Sequence, residues 1–484
     1  RYLGYIIGPG VDLTGSSLTD SVLTSSDLTD ANLTSAILAN TVLTGAILTG
    51  VNLTNADLTG ATLTDVASGR IIGTPTLPTA YTMIDGYIVG PNVDLTDAIL
   101  TAADLASSDL TDANLTGATL TNAVLTGAVL TGVDLTEADL TGAILTNVVS
   151  GQIIGTPTLP SAYTMIKGYI VGPGVVLVGA DLTDSGVPDT GMPQTGLAGL
   201  DLSNANLSAS VLTDAILTGV DLTNADLTGA TLTNVVSGQI IGIPTLSSAY
   251  SMINGYIVGQ GVDLTNADLT NAVLTGVDLT DADLTGATLT NVVSGQIIGT
   301  PTLPSAYTMI NGYIVGQGVN LTNADLTNAV LTGVDLTDAD LTGATLTNVV
   351  SGQIIGTPTL PSAYTMINGY IVGQGVDLTN ADLTNADLTG VDLTDAILTN
   401  IASGSIIGSP PLPAAYSIIN GYIVGPDVNL NGAELNGADL TSTSLTGVKS
   451  GSITGLPTLS SAYTMINGYI IGPGVDLTDA NLTG

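Results

Sequence analysis

The 484-residue chain has no cysteine, histidine, tryptophan or phenylalanine, and only four basic residues stand against 41 acidic ones. Each absence removes a class of chemistry. Without Cys and His there are no disulfides, zinc–thiolate centres, imidazole acid–base steps or Ser-His-Asp triads. A net charge of −37 leaves nothing to neutralise phosphates, which excludes a basic nucleic-acid-binding face. The mean hydropathy of +0.49 would suit a membrane protein, yet no segment approaches the roughly 20 apolar residues of a spanning helix. The least polar stretch, Gly168–Ala180, is interrupted by Pro173 and three further glycines. The chain opens at Arg1 without the charged and apolar regions of a secretory signal. Absence of Cys is compatible with the cytosol or the cell exterior.

What is present is a repeat of five. From Val11 the chain reads VDLTG, SSLTD, SVLTS, SDLTD, ANLTS and onward, with Leu at every fifth position from Leu13 to Leu63. The rule is a small residue, a variable residue, Leu, Thr, then Gly, Asn or Asp. This period fits neither an α-helix nor a long strand. It fits a chain that turns every five residues, with the small residue and Leu inward. A second motif, VVSGQIIGTPTLPSAYTMINGYIVGQG as at Val292–Gly318, interrupts the repeat seven times, always at the same length. That length is five fives plus two, so successive blocks need not keep the same face aligned. The organisation is a partial insert at 1–10, then pentapeptide blocks at 11–65, 93–147, 175–234, 262–291, 319–348, 376–400, 428–447 and a truncated 475–484. Inserts separate them at 66–92, 148–174, 235–261, 292–318, 349–375, 401–427 and 448–474. Within each block the frame of five is unbroken, including the degenerate stretch 185–199. One extra residue would turn every later inward residue outward, so only whole units are gained or lost, as in quasi-one-dimensional solenoids. Val262–Gly318 and Val319–Gly375 differ only at Asp263 against Asn320, the mark of a tandem duplication.

The A(D/N)LxX units resemble the pentapeptide-repeat family over about three-fifths of the chain. The resemblance implies an all-β fold, a right-handed quadrilateral β-helix (a β-solenoid) with about four pentapeptides per coil. Leu at the centre and Ala, Val or Ser two before it would fill the interior. Two departures stand out: the centre is almost always Leu and never Phe, and long inserts break the array, which puts a single uninterrupted rod in question. Some members of the family resemble duplex DNA in size and charge and inhibit DNA gyrase.

All 16 Tyr lie in the inserts or the partial one, as do six of seven Met, Met192 being the exception. Tyr307–Gly316, YTMI-NG-YIVG, predicts a β-hairpin around Asn311-Gly312, with Asp85-Gly86 and Lys167-Gly168 at the same place in other copies. The preceding IIGTPTLPSAY reads as an extended connection. A lone hairpin is marginal in water, so each insert needs a partner: the side or end of its block, a neighbouring insert, or another chain. A groove for aromatics or sugars is a further option.

No catalytic, cofactor-binding or metal-binding residue can be named, and the reading is that the chain is not an enzyme. Asp263, Asp268, Asp278 and Asp283 recur at one repeat position and read as an outward acidic ladder, either a solvated face or a loose site for Ca²⁺ and other cations. No EF-hand loop, calcium-binding nonapeptide or phosphate loop is present. Threonine after nearly every Leu predicts outward columns on a pleated surface; O-glycosylation and ice binding are alternatives. The N-x-[ST] sequons at Asn32, Asn52, Asn114, Asn206, Asn320 and Asn481 follow from the repeat rule. The expectation is an acidic structural protein that self-associates into a filament, extracellular or at the cell surface and open to glycosylation. It has no nucleic-acid partner, no membrane span and no small-molecule substrate. Chain ends without visible caps suggest part of a longer assembly, or ends covered by neighbours. The alternative is an acidic binding module, either a gyrase-inhibiting DNA mimic or a host-binding adhesin.

Overall fold

The computed structural model describes residues 4–183 and 197–483. Contacts divide the chain into two compact units, Arg1–Ile257 with Gly261–Asp263, and Val258–Gln260 with Leu264–Gly484. The same construction is found inside each.

Five residues build one side of a coil. Leu13 accepts a backbone hydrogen bond from Ser16 N at 3.0 Å, and the same link recurs along the blocks between a Leu and the residue three later. This closes a tight turn whose second central residue is the fifth of the repeat. That residue takes positive φ, for example 57° at Asn55 and 71° at Gly60. Gly, Asn and Asp reach this left-handed region at least cost, which is why the fifth position is mostly drawn from them, with Ser25, Ala102 and Glu137 among the exceptions. Four such turns close a coil. Asp12 bridges Asn32 in parallel, Asn32 bridges Asn52, and Ser17, Val22 and Asp27 bridge Ile37, Val42 and Ile47. The rungs are single residues because the next turn follows at once; only short stretches such as Val129–Thr131 with Val149–Gly151 extend to three. The fold is therefore the quadrilateral β-helix, four pentapeptides to the coil.

The interior is the Leu and Ala ladder. Every repeat Leu from Leu18 to Leu63 is at most 2% exposed, and Ala36, Ala46 and Ala56 are fully buried. Each buried Leu contributes about 1.5–3 kcal/mol of apolar transfer energy. Threonine sits in the turn after nearly every repeat Leu, so its columns run along the corners rather than on the flat sides; the strand-like position is the variable second residue.

The inserts depart from expectation in an informative way. Their opening residues do not form a free connection. Ile72 bridges Asn52 and Thr76 bridges Asp57, so the chain makes further sides of the coil. The hairpin follows: Thr82–Ile84 pairs antiparallel with Tyr87–Val89 around Asp85-Gly86, φ 51° and 80°. All seven copies carry this pair, and at one of them Lys167 takes φ 47°. The hairpin's second strand enters the stack, with Ile88 0% and Val89 1% exposed. One side then resumes at the start of the next block, as Ala67 bridges Asp94, Val293 bridges Asn320 and Val350 bridges Asp377. The insert thus closes a longer coil of its own and keeps one face in register, although its length is not a multiple of five.

Around the degenerate stretch, Val176 bridges Asn206 and Asp181 bridges Val211. These partners are 30 residues apart rather than 20, and the rungs resume in register after them. Residues 185–196 of that stretch lie outside the described residues.

Inward and outward positions should respond differently to truncation. Leu331→Ala should lower stability by about 2–5 kcal/mol, and Val330→Ala, on the exposed side, by less than about 0.5 kcal/mol. Urea unfolding of both variants measures this; equal effects would contradict the alternation.

Candidate functional site

Two surfaces carry the polar chemistry: the outward second position of each pentapeptide, and the seams where hairpins enter the stack. At the first, the carboxylates are bound to their own turns. Asp57 Oδ1 accepts from Thr59 N at 2.9 Å and from Thr59 Oγ1 at 2.6 Å. Asp27, Asp325 and Asp439 repeat the pattern. These side-chain and backbone bonds from Thr hold the carboxyls below the ordinary aspartate value of 3.8.

Asn does the same work without charge. All six sequon asparagines accept from the backbone N–H two residues on. Asn32 and Asn114 also donate from Nδ2 to Thr14 and Thr96 Oγ1 in the coil before, each at 2.9 Å. The sequons thus have a conformational origin in the turn.

The acidic residues do not form the expected ladder. Asp263, Asp268, Asp278 and Asp283 stand on different sides of a coil, or one coil apart, and not as a single stacked column. The rung partners of Asp268, Asp278 and Asp283 are Thr288, Ile298 and Thr302. Asp201 with Asp221 sets carboxylate against carboxylate. Like charges on adjacent strands repel, and with four basic residues in the chain the repulsion is met by spacing. Among the described residues no group of three or more acidic side chains is placed to hold a metal, and no helix is long and apolar enough to cross a membrane.

The hairpin seams use residues that the sequence reading passed over. Where a hairpin replaces coil sides, the ladder is cut and backbone groups lose their partners. Ser68 Oγ accepts from Ile88 N at 3.0 Å, and Ser150, Ser237, Ser294, Ser351, Ser403 and Ser450 do the same for Ile170, Ile257, Ile314, Ile371, Ile423 and Ile470, at 2.9 to 3.1 Å. On the other side, Tyr87 Oη accepts from Ile99 N at 3.0 Å, Tyr313 Oη from Asp325 N at 3.2 Å and Tyr422 Oη from Glu434 N at 3.0 Å. The turn residue completes the seam. Asn311 Nδ2 donates to the Asp325 and Thr327 carbonyls at 3.3 and 3.0 Å, and Lys167 Nζ donates to that of Thr183.

The first Tyr of a hairpin packs against the Gly that ends it, as Tyr81, Tyr163, Tyr307, Tyr364, Tyr416 and Tyr463 do. A Cβ at Gly316 would meet the Tyr307 ring and lie 2.9 Å from the Ala306 carbonyl oxygen. Burial, then the nearby Asp335 carboxylate, pushes the Tyr307 hydroxyl up; Tyr81 with Asp109 and Tyr163 with Asp201 behave alike. The signal for the Ser role was its presence in all seven inserts, at the third position of each.

A model of pentapeptide repeats matches residues 10–36, 26–65, 91–117, 108–147, 197–236, 260–293, 317–350, 374–400 and 427–449, together more than half of the chain. No curated protein sequence matches. Among solved structures, the chain is similar to HetL, a pentapeptide repeat protein involved in heterocyst differentiation regulation from the cyanobacterium Nostoc sp. That match has 20% identity and a TM-score of 0.12, and covers 75% of this chain and 92% of HetL. It is also similar to Rfr23 from the cyanobacterium Cyanothece, at 26% identity, TM-score 0.13, covering 30% and 89%. A third is full-length QnrB1, a plasmid-mediated fluoroquinolone resistance protein, at 12% identity, TM-score 0.13, covering 64% and 91%.

Two expectations follow. Ser294→Ala leaves the buried Ile314 N–H unpaired, at a cost of about 1–3 kcal/mol; hydrogen exchange at Ile314 and the melting temperature measure it, and unchanged protection would refute the anchor. The second concerns pH. Carboxyls lowered in the folded state stabilise above 3.8 and lose that contribution as pH falls through their folded values. Melting temperature should hold from pH 7 to about 5 and fall below about 4. A rise on acidification would mean that carboxylate repulsion outweighs the turn bonds.

Proposed function

The chain belongs to the pentapeptide-repeat family, and from that premise we propose that it is a non-catalytic structural protein, an acidic β-helix that self-associates into a filament at a cell surface or outside the cell. The observation that carries this reading is the commitment of the polar side chains. Carboxylates cap turns, and insert Ser, Tyr and Asn residues close backbone seams, so the chemistry present is spent on extending a stack. Self-association has its own support in the insert's second Ile: Ile72, Ile154, Ile241, Ile298, Ile355 and Ile407 are 55–58% exposed. An apolar side chain at the same place in six of the seven inserts suits lateral contact between copies.

The net charge of −37 favours a second reading, an acidic binding module: a mimic of nucleic acid, or an adhesin. A gyrase supercoiling assay tests the first form, with inhibition as its expected result.

Cryo-electron microscopy of the protein as isolated, without denaturation, tests the filament. Long assemblies with an axial repeat near about 4.8 Å are expected. The double change Ile298→Asp with Ile355→Asp should raise the concentration needed for assembly at least tenfold while leaving the melting temperature nearly unchanged. Monodisperse particles at every concentration would overturn the reading.

A further inference from the structure

A groove of about 580 Å³ opens between the first hairpin strand Tyr307–Ile310 and the following coil. It is lined by Tyr307, Thr308, Ile310, Val330, Thr332 and Asp335, among others. Its size falls in the range of small-molecule sites. Its backbone is unusual. In a regular coil the second-position N–H donates to the coil before, as Val350 N does to Ala329 O at 2.9 Å and Ile355 N to Val334 O at 3.0 Å. At Val330 and Asp335 the hairpin stands where that coil would be, and neither amide donates a hydrogen bond within the described residues. The groove thus combines two unspent amide donors, a carboxylate, several hydroxyls and an apolar strip led by Val330, which is 61% exposed.

The donor set selects among ligands. No basic residue lines the groove, and Asp335 together with the net charge of −37 opposes anions. An organic cation would suit Asp335 but leave both amides facing another donor. A ligand with hydroxyls that both donate and accept, on a ring with an apolar C–H face, satisfies every group. We infer that this groove binds a neutral saccharide, with the Val330 and Asp335 amides donating to its oxygens, Asp335 accepting from a hydroxyl, and Val330 and Ile310 against the ring. Asp335 Oδ1 also accepts from Thr337 N at 2.9 Å, so the carboxylate is held in place by its own turn. All its named residues belong to one hairpin and the coil after it, so binding needs no second copy of the chain.

The test is saturation-transfer NMR and titration calorimetry on the full chain with cellotriose, chitotriose and maltotriose, and with sialyllactose and choline as charged comparisons. At least one neutral trisaccharide should bind saturably. Val330→Arg, on an exposed side, fills the groove and should weaken binding tenfold or more. Asp335→Asn keeps the turn, as Asn does at Asn320, and should weaken binding several-fold through loss of a charge-assisted bond. Neither change should move the melting temperature by more than a degree or two. Absence of neutral trisaccharide binding, binding of choline or sialyllactose alone, or binding indifferent to both substitutions would overturn the assignment.

Discussion

Everything in this protein depends on a backbone ladder that closes every four pentapeptides. A five-residue side is too short to be a stable strand, and its single rung is worth little alone. Stability comes from summing rungs over neighbouring coils, as in other one-dimensional arrays. That summation demands a turn at a fixed interval, hence a fifth residue that tolerates the left-handed region, and a Leu that always points inward. Asn55 and Gly60 with their positive φ, and Leu53 and Leu58 with no exposure, express the same constraint.

The constraint also explains the inserts. A hairpin that replaces coil sides cuts the ladder and strands amides and carbonyls above and below it. The structure repairs the cut from both directions with side chains: Ser294 receives the amide of the incoming strand, while Tyr313 and Asn311 meet the backbone of the next coil. The second strand supplies Ile314 and Val315 to the interior, both fully buried. An insert is thus a substitute coil, and the array passes through it with one face in register. At Val330 and Asp335 the repair is incomplete, and neither amide donates to another described residue.

Charge follows the same geometry. Neighbouring aspartates in the sequence fall on different sides, and the residues that meet across a rung lie one whole coil apart. Asp278 faces Ile298 and Asp335 faces Ile355. An acidic chain with four basic residues can stack because most of its carboxylates meet neutral rungs and are tied to their own turns. The carboxylates therefore serve the fold first, and whatever they offer to a partner is offered from positions the turn has set.

The sequence by itself determined the period, the inward Leu and Ala, the turn at every fifth residue, the blocks and the hairpin turns. All of these are local, decided inside one pentapeptide or by a two-residue loop, so they are legible without coordinates. It did not reveal that IIGTPT would continue the coil, that Ser294 would anchor Ile314, or that aspartates adjacent in the repeat would stand on separate sides. Those facts depend on which residues meet one coil or one insert apart, and only closure of the coil decides that. The seam residues were the hardest to see because Ser, Tyr and Asn have many ordinary reasons to be present in a β-rich loop. Their role appears only once the ladder is known to be broken beside them.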